Sequence, residues 1–258
     1  MPDDSAIGNA RFPTTHRSAV QGAQSSDAAL RERSWTALVA AYWKPAYKHV
    51  RIKWKASPAD AEDATQGFFE QAMTAEIFAP FDPARARFRT FFRLCLDRFV
   101  SSERKAQGRQ KRGGGAAALP LDFADAEHEL ALAGAAAWES PEEGFDREWR
   151  RSVFSLAIDA LKKELSAAGK EACFAMFEAY DLCASPTRPT YEDLAVAHGV
   201  PVTTVTNQLA FARRELRRLA HATLAEITAT DEELGGEAAF LLGPASSGAR
   251  RASPKGAR

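Results

Sequence analysis

The stretch from Tyr191 to Arg218, YEDLAVAHGVPVTTVTNQLAFARRELRR, constrains the fold of this chain more than any other. Apolar residues recur at helical spacing on both sides of Gly199, which can take the left-handed conformation that ends a helix. Thr190 and Asp193 have the spacing of a capping box, and Pro201 suits the start of a new helix. The stretch therefore predicts two helices joined by a tight turn.

The second predicted helix has one apolar and one polar face. The polar face carries short side chains near its N-terminus and arginines further along: Thr203, Thr206, Asn207, Arg214 and Arg217. In a helix-turn-helix, the N-terminal part of the second helix reads base edges, and cations contact phosphates. The pattern indicates a DNA-binding surface, although an ordinary helical hairpin with a solvated charged face is the alternative.

Charge is segregated along a chain whose formal net charge is zero. Residues 85 to 112 contain ten Arg or Lys and two Asp or Glu, whereas residues 122 to 148 contain nine acidic residues and one Arg. Such a basic block suits a nucleic-acid backbone and is otherwise a solvated helix face. Its phenylalanines, at helical spacing, fit a buried core better than a base-stacking surface. We also expect that the acidic block can fold against the basic one and mask it.

The segment DAEDATQGFFEQ, residues 60 to 71, places acidic, amide and aromatic side chains on adjoining helix faces. A carboxylate catalytic site or metal site would need a His or a further carboxylate at matching spacing, and neither is present. A protein-docking face fits this mixture better. The chain also lacks a P-loop, an HExxH motif and a nucleophile–base pair, so we expect no enzyme activity, no cofactor and no metal.

Helical periodicity and few alternating strand patterns predict an all-α protein of two helical domains joined by an acidic flexible linker. Pro45 is expected to break or kink the first long helix. The expected divisions are a disordered arm (1–26), a helical domain (27–112), a linker rich in Gly, Ala and acids (113–143), a helix-turn-helix domain with a C-terminal extension (144–242) and a disordered basic tail (243–258).

Two observations indicate a cytoplasmic protein without a membrane segment. The three cysteines follow no metal-binding spacing, and Cys95 and Cys173 fall on apolar helix faces, as buried thiols in a reducing compartment do. The N-terminus lacks the apolar core of a secretory signal, and no apolar run is long enough to span a bilayer.

Taken together, two blocks resemble the bacterial sigma factors of the sigma-70 superfamily, in the compact extracytoplasmic-function class. DAEDATQGFF (60–69) followed by FDPARARFRTFFRLCLDRFVSSERKAQGRQKRGGG (81–115) is similar to sigma region 2. YEDLAVAHGVPVTTVTNQLAFARRELRRL (191–219) is similar to region 4. The resemblance covers about residues 27 to 242, and the order and spacing of the blocks are more specific than either block alone.

The resemblance implies a partner and roles for three sets of residues. Core RNA polymerase would bind through its β′ coiled-coil and β flap, with the β′ coiled-coil on Asp60, Glu62, Asp63, Gln66 and Phe69. The −10 promoter element and its unpaired bases would contact Phe92, Arg93, Arg98, Ser102, Arg104, Lys105, Arg109 and Arg112. The −35 element would be read by Thr203, Thr204, Thr206, Asn207 and Gln208, with Arg213, Arg214 and Arg217 on phosphates. An anti-sigma factor is a further possible partner.

Two departures from the family pattern keep other functions open. Pro201 stands where a Ser or Thr N-cap is usual, and Thr206 stands where a basic residue is usual. The rivals are a helix-turn-helix regulator that binds DNA without polymerase, and a sigma-like adaptor that no longer reads DNA. We expect the N-terminal arm or the C-terminal extension to regulate a factor of this kind.

Overall fold

The computed structural model describes residues 18–74, 77–107, 119–133, 140–183 and 188–243, and these confirm the all-α prediction. Helices account for every regular element in these ranges. They are α1 (Ala19–Gly22), α2 (Ala28–Lys53), α3 (Pro58–Thr74), α4 (Phe88–Gln107), α5 (Phe123–Ala133), α6 (Pro141–Ala167), α7 (Glu171–Phe177) with a π-helical turn (Glu178–Leu182), α8 (Tyr191–His198), α9 (Val202–Ile227) and α10 (Asp231–Leu242).

Helix α2 is the central element, and it packs most extensively against α6 and α3. Its N-terminus is capped by Asp27, whose carboxylate accepts the backbone N–H groups of Ala29 and Leu30 at 3.0 and 3.3 Å. Of the break or kink expected at Pro45, the break is wrong, because α2 continues through the proline as one helix. Tyr42 and Tyr47 are buried on either side of the proline. We infer that this packing outweighs the cost of about 3 kcal/mol for an internal proline.

Buried side chains from both sides of residues 113–143 belong to one connected hydrophobic core. An aromatic cluster lies at its centre, where the Phe92 ring is 4.4 Å from Tyr42 and 5.2 Å from Phe68, measured between ring centroids. Phe69 is also fully buried, with its ring 5.9 Å from that of Phe92. The division into two domains therefore stays a prediction, since it rests on composition and not on separate cores.

The described part of the expected flexible linker is a packed helix. Phe123 and Ala126 of α5 are buried, and Phe123 makes an edge contact with Trp43 on α2. Acidic side chains of α5 pair with cations of α2: Lys44 contacts Asp125 and Glu129, and Arg51 contacts Glu127. Composition alone predicted flexibility because it does not register the complementary charges on α2.

The acidic block was expected to mask the basic block of residues 85–112, but its carboxylates pair mainly with cations of α2. Two contacts do reach α4 itself, from Glu142 to Arg93 at 2.8 Å and from Asp146 to Arg89. These pairs attach the acidic segment to both α2 and α4. Electrostatic complementarity was predicted correctly, but the partner helix was not.

Helix α4 begins at Phe88, where its first backbone N–H is capped from a remote helix. The Glu233 carboxylate of α10 accepts the backbone N–H of Phe88, 145 residues away in the sequence. Next to it, buried Arg89 pairs with buried Glu237 at 3.3 Å. A carboxylate at a helix N-terminus is favourable because it satisfies an otherwise unpaired N–H and opposes the helix dipole.

The N-terminal arm also differs from expectation in its described part. Residues 18–26 include α1, whose Ala19 and Val20 are buried. The remainder of the arm, residues 1–17, and the tail from 244 onward lie outside the described residues. Among the described helices, none combines the length and apolarity needed to cross a membrane.

We predict that Lys48→Ala lowers the free energy of unfolding by about 3 kcal/mol, because it removes a buried cation shared by two carboxylates and leaves buried Glu148 with the exposed Arg151 as its remaining ion-pair partner. The Lys48 side chain is 1% exposed and contacts Glu129 and Glu148 at 2.6 Å each. Urea denaturation of the full chain provides the measurement. The matched control is Lys44→Ala, since Lys44 shares Glu129 but is 26% exposed. Exposed pairs contribute less than about 1 kcal/mol, so equal losses for both variants would contradict the prediction.

Candidate nucleic-acid interface

Helices α8 and α9 form the predicted helix-turn-helix, with the predicted local chemistry. Asp193 and Thr190 cap α8 reciprocally: the Asp193 backbone N–H donates to Thr190 Oγ1 at 3.1 Å, and the Thr190 N–H donates to the Asp193 carboxylate at 2.8 Å. Gly199 has a φ of 64°, so it takes the left-handed conformation that ends α8. Pro201 precedes α9 and provides no side-chain cap. The turn is therefore set by local sequence alone.

The solvent-facing stripe of α9 carries short polar side chains and then arginines. Its core-facing stripe is buried at Val205, Leu209 and Ala212. The exposed members of the predicted −35 set are Thr203, Thr206, Asn207, Arg213, Arg214 and Arg217. The Thr206 hydroxyl donates to the Val202 carbonyl at 3.0 Å, within its own helix. Short polar groups followed by arginines on a second helix are the chemistry with which helix-turn-helix proteins contact a DNA major groove.

Two residues assigned to base reading from the resemblance are half-buried: Thr204 and Gln208 lie on the side of α9 that packs against α7. The Gln208 side-chain oxygen is buried and has no hydrogen-bond partner among the described residues, and its backbone carbonyl accepts from the Cys173 thiol at 3.5 Å. Asn207 borders the same cleft, but it is exposed, whereas Gln208 is half-buried with its side-chain oxygen enclosed.

Arg213 lies at the edge of the stripe and is already engaged. Its Nε and Nη2 donate to both oxygens of Asp181 at 2.8 and 3.0 Å. Hydrogen bonding to Asp181 raises the pKa of Arg213 above its usual value, because the carboxylate stabilises the charged guanidinium. Asp181 belongs to the π-helical turn, and the sequence reasoning gave it no role. Because the Asp181 carboxylate is so close, it offsets part of the positive charge that Arg213 would present to DNA.

The predicted −10 surface on α4 is smaller than expected. Phe92 is fully buried, which corrects its assignment as a base contact and agrees with its core-type spacing. Arg93 is paired with Glu142 and Asp97. Arg104 donates to the backbone carbonyl of Trp54 and lies over its ring, 5.2 Å from the centroid.

The remaining −10 residues divide into two groups. Arg98, Ser102 and Lys105 are exposed on α4. Arg109 and Arg112 lie outside the described residues. The exposed basic surface that the structure presents on α4 is therefore its C-terminal half.

Asp97 organises the middle of α4, and the sequence reasoning did not identify it. Its carboxylate accepts hydrogen bonds from His49 at 3.0 Å, Lys53 at 2.8 Å and Trp54 at 3.1 Å. Burial raises the pKa of Asp97, but these three hydrogen bonds outweigh burial and bring the pKa to about 2. The sequence feature that could have identified Asp97 is that residues 85–112 contain only two acidic residues, of which it is one, among ten cations.

The predicted polymerase-docking face on α3 is partly available. Asp63 is exposed, and Glu62 and Gln66 are half-buried. Asp60 is exposed but serves the helix start, where the Ser57 hydroxyl donates to its carboxylate at 2.6 Å and its N–H donates to Ser57 Oγ at 3.2 Å. Phe69 is fully buried, so its assignment to this face is corrected.

In the part of the chain that the structure describes, no group of three or more His, Cys, Asp or Glu side chains is placed to hold a metal ion. Three candidate surfaces are accessible: the α9 stripe, the C-terminal half of α4, and the acidic start of α3.

We predict that Asp97→Asn removes an acid-sensitive part of the stability. The native pKa of about 2 lies below the unfolded value near 3.9, so ionised Asp97 stabilises the fold above about pH 4 and loses this effect as the pH falls towards 2. Because solvent screens a partly exposed group, we expect Asp97→Asn to cost about 1–2 kcal/mol at pH 6.

Urea denaturation at pH 6 and pH 3 measures this difference between wild type and variant. It should shrink at the lower pH, and a constant difference would contradict the assignment. Asp63→Asn removes an exposed carboxylate from α3. As the control, that variant should differ little from wild type at either pH.

Comparison with known proteins finds no relative of this chain. No protein-family model, no curated protein and no solved structure matches the chain. The residues and geometry of the chain itself are therefore the basis for any functional conclusion.

Proposed function

We propose that this protein is a sigma-type transcription initiation factor that binds core RNA polymerase and directs it to promoters. In this proposal the chain has no catalytic site and acts in the cytoplasm. The helix-turn-helix contacts the −35 element, and the C-terminal half of α4 contacts the −10 element. Residues 27–112 and 144–242 act as the two promoter-binding parts, with the acidic segment 113–143 between them.

One observation carries the proposal: the capped helix-turn-helix presents an exposed polar and basic stripe at the start of its second helix. Thr203 and Asn207 are exposed where base edges would be read, and Arg214 and Arg217 are exposed further along the same face. Asn offers a paired donor and acceptor that suits adenine, and Arg suits phosphate or guanine. A solvated hairpin has no need for this ordered change from short polar groups to arginine.

Two further surfaces fit the same function. Exposed Arg98 and Lys105 provide positive charge on α4, which is favourable for a DNA backbone. Exposed Asp63, beside half-buried Glu62 and Gln66, gives α3 an acidic and amide surface that suits a basic protein partner. The identity of that partner as polymerase comes from the resemblance of residues 60–69 and 81–115 to sigma region 2.

A specific observation favours the sigma-like adaptor as the second candidate. Pro201 provides no side-chain cap, the Thr206 hydroxyl is bonded within its own helix, and Gln208 is turned towards α7. Each feature removes a polar group from the surface that would read DNA. An adaptor of this kind would keep polymerase binding and lose promoter selectivity.

Run-off transcription with core RNA polymerase, with and without the full chain, on a library of genomic promoter fragments distinguishes these functions. Promoter-selective transcripts that depend on the protein are the expected result. Binding to core polymerase without selective transcripts would favour the adaptor. Tight binding to a palindromic duplex in the absence of polymerase would favour the independent regulator.

We predict that Asn207→Ala lowers promoter-selective transcription about tenfold or more, because a bidentate base contact contributes about 1–3 kcal/mol. Gln208→Ala is the matched control, since its side-chain oxygen is already without a hydrogen-bond partner among the described residues. That variant should retain most of the activity. Affinity for core polymerase, measured by fluorescence anisotropy, should be unchanged in both. Equal loss of transcription in the two variants would contradict the assigned faces of α9.

A further inference from the structure

A cluster of two arginines, two tyrosines and one carboxylate lies beside the helix-turn-helix. Asp181 accepts two hydrogen bonds from Arg213, at 2.8 and 3.0 Å, and one from Arg188, at 3.2 Å. The Arg188 guanidinium lies over the Tyr180 ring at 3.5 Å from its centroid, and Tyr180 makes an edge contact with Tyr191 at 4.8 Å. The two cations and one anion carry a net charge of +1.

The arrangement has the form of an anion site that is filled by a side chain of the same protein. Two guanidinium groups converge on one carboxylate, and Arg213 binds it bidentately, as arginine also binds phosphate. Tyr180 fixes Arg188 by stacking, so the pair of cations is preorganised. Both arginine side chains are still accessible, at 48% exposed for Arg188 and 43% for Arg213, whereas Asp181 is 20% exposed.

The position of the cluster fits the backbone of a duplex held by α9. Arg188 lies just before α8, and Arg213 lies on the edge of the exposed stripe of α9. In helix-turn-helix complexes the first helix crosses the DNA backbone while the second lies in the major groove. A phosphate running past the start of α8 and the flank of α9 would therefore meet both arginines.

We propose that Arg188 and Arg213 form a binding site for a DNA backbone phosphate, and that the Asp181 carboxylate occupies this site in the free protein. The inference rests on the proposed function, because it assumes that α9 contacts a duplex. Binding exchanges one ion pair for another: the phosphate takes the two arginines and Asp181 moves to solvent. Asp181 consequently lowers the affinity for any DNA, irrespective of sequence, and holds Arg213 in place until DNA arrives.

The test measures binding of the full chain to a fluorescent duplex across a series of salt concentrations. Asp181→Asn keeps the size of the side chain, removes its charge and replaces one of the two acceptor oxygens that Arg213 binds by a donating amide. We expect this variant to bind about three- to fivefold more tightly at low salt, and the slope of log affinity against log salt to steepen by about 0.9, as for one additional phosphate contact.

Three controls separate the site from a general charge effect. Asp159→Asn removes one charge from an exposed position on α6 and should change affinity less than twofold. A double-mutant cycle compares Arg213→Gln alone with the double variant Asp181→Asn and Arg213→Gln; the gain from Asp181→Asn should be absent when Arg213 is already replaced, and this non-additivity identifies the pair. Urea denaturation of each variant, with binding calculated for the folded fraction, excludes loss of folded protein as the cause.

Each outcome decides a different point. Equal affinity and slope for wild type and Asp181→Asn would overturn the phosphate site while leaving the promoter function standing. A gain that persists in the double variant would assign the effect to charge alone and overturn the site. A gain that depends on Arg213, together with no promoter-selective transcription, would support the phosphate site and overturn the sigma function. Absence of duplex binding by every variant would overturn the site.

Discussion

The burial of Arg89 is the constraint on which the positions of the other helices depend. A buried guanidinium is tolerated only when its charge and its donors are satisfied. Glu237 of α10 and Asp146 of α6 satisfy them, and the cation lies between the rings of Trp149 and Phe240, 4.9 and 4.6 Å from their centroids. Helices α4, α6 and α10 therefore cannot shift independently without exposing or unpairing this charge.

This constraint connects the two proposed promoter contacts. Helix α10 follows α9 in the chain and also caps α4 through Glu233. The separation of the α4 and α9 surfaces is thus fixed by a continuous path of packed helices. If promoter binding requires a different distance between the α4 and α9 surfaces, the buried Arg89–Glu237 ion pair must break, and the binding partner must compensate a cost of about 3–5 kcal/mol. Burial raises the pKa of Glu237, more than its arginine neighbours lower it.

The sequence predicted the features that depend on neighbouring residues. The capping box of Thr190 and Asp193, the left-handed Gly199 and the buried stripe of α9 all follow from spacings of seven residues or fewer, and all are present. The failures depend on distant partners. Helix α4 begins where Glu233 caps it, from 145 residues away, and α5 forms where Lys44 lies, 81 residues from Asp125. No local pattern contains these contacts, so composition predicted a flexible linker where α5 forms.

The contacts between residues that are distant in sequence also determine which charges can reach a nucleic acid. Counting residues gave a strongly basic α4, but Arg89 and Arg93 are neutralised by acids from α10 and α6. On α9, Arg213 is held by Asp181, whereas Arg217 is exposed. Because an internal carboxylate competes with phosphate for the same guanidinium, affinity for DNA depends on the strength of these internal pairs as well as on the number of cations. Under the proposed function, a protein of zero net charge would bind DNA through the cations that its own acids leave free or release.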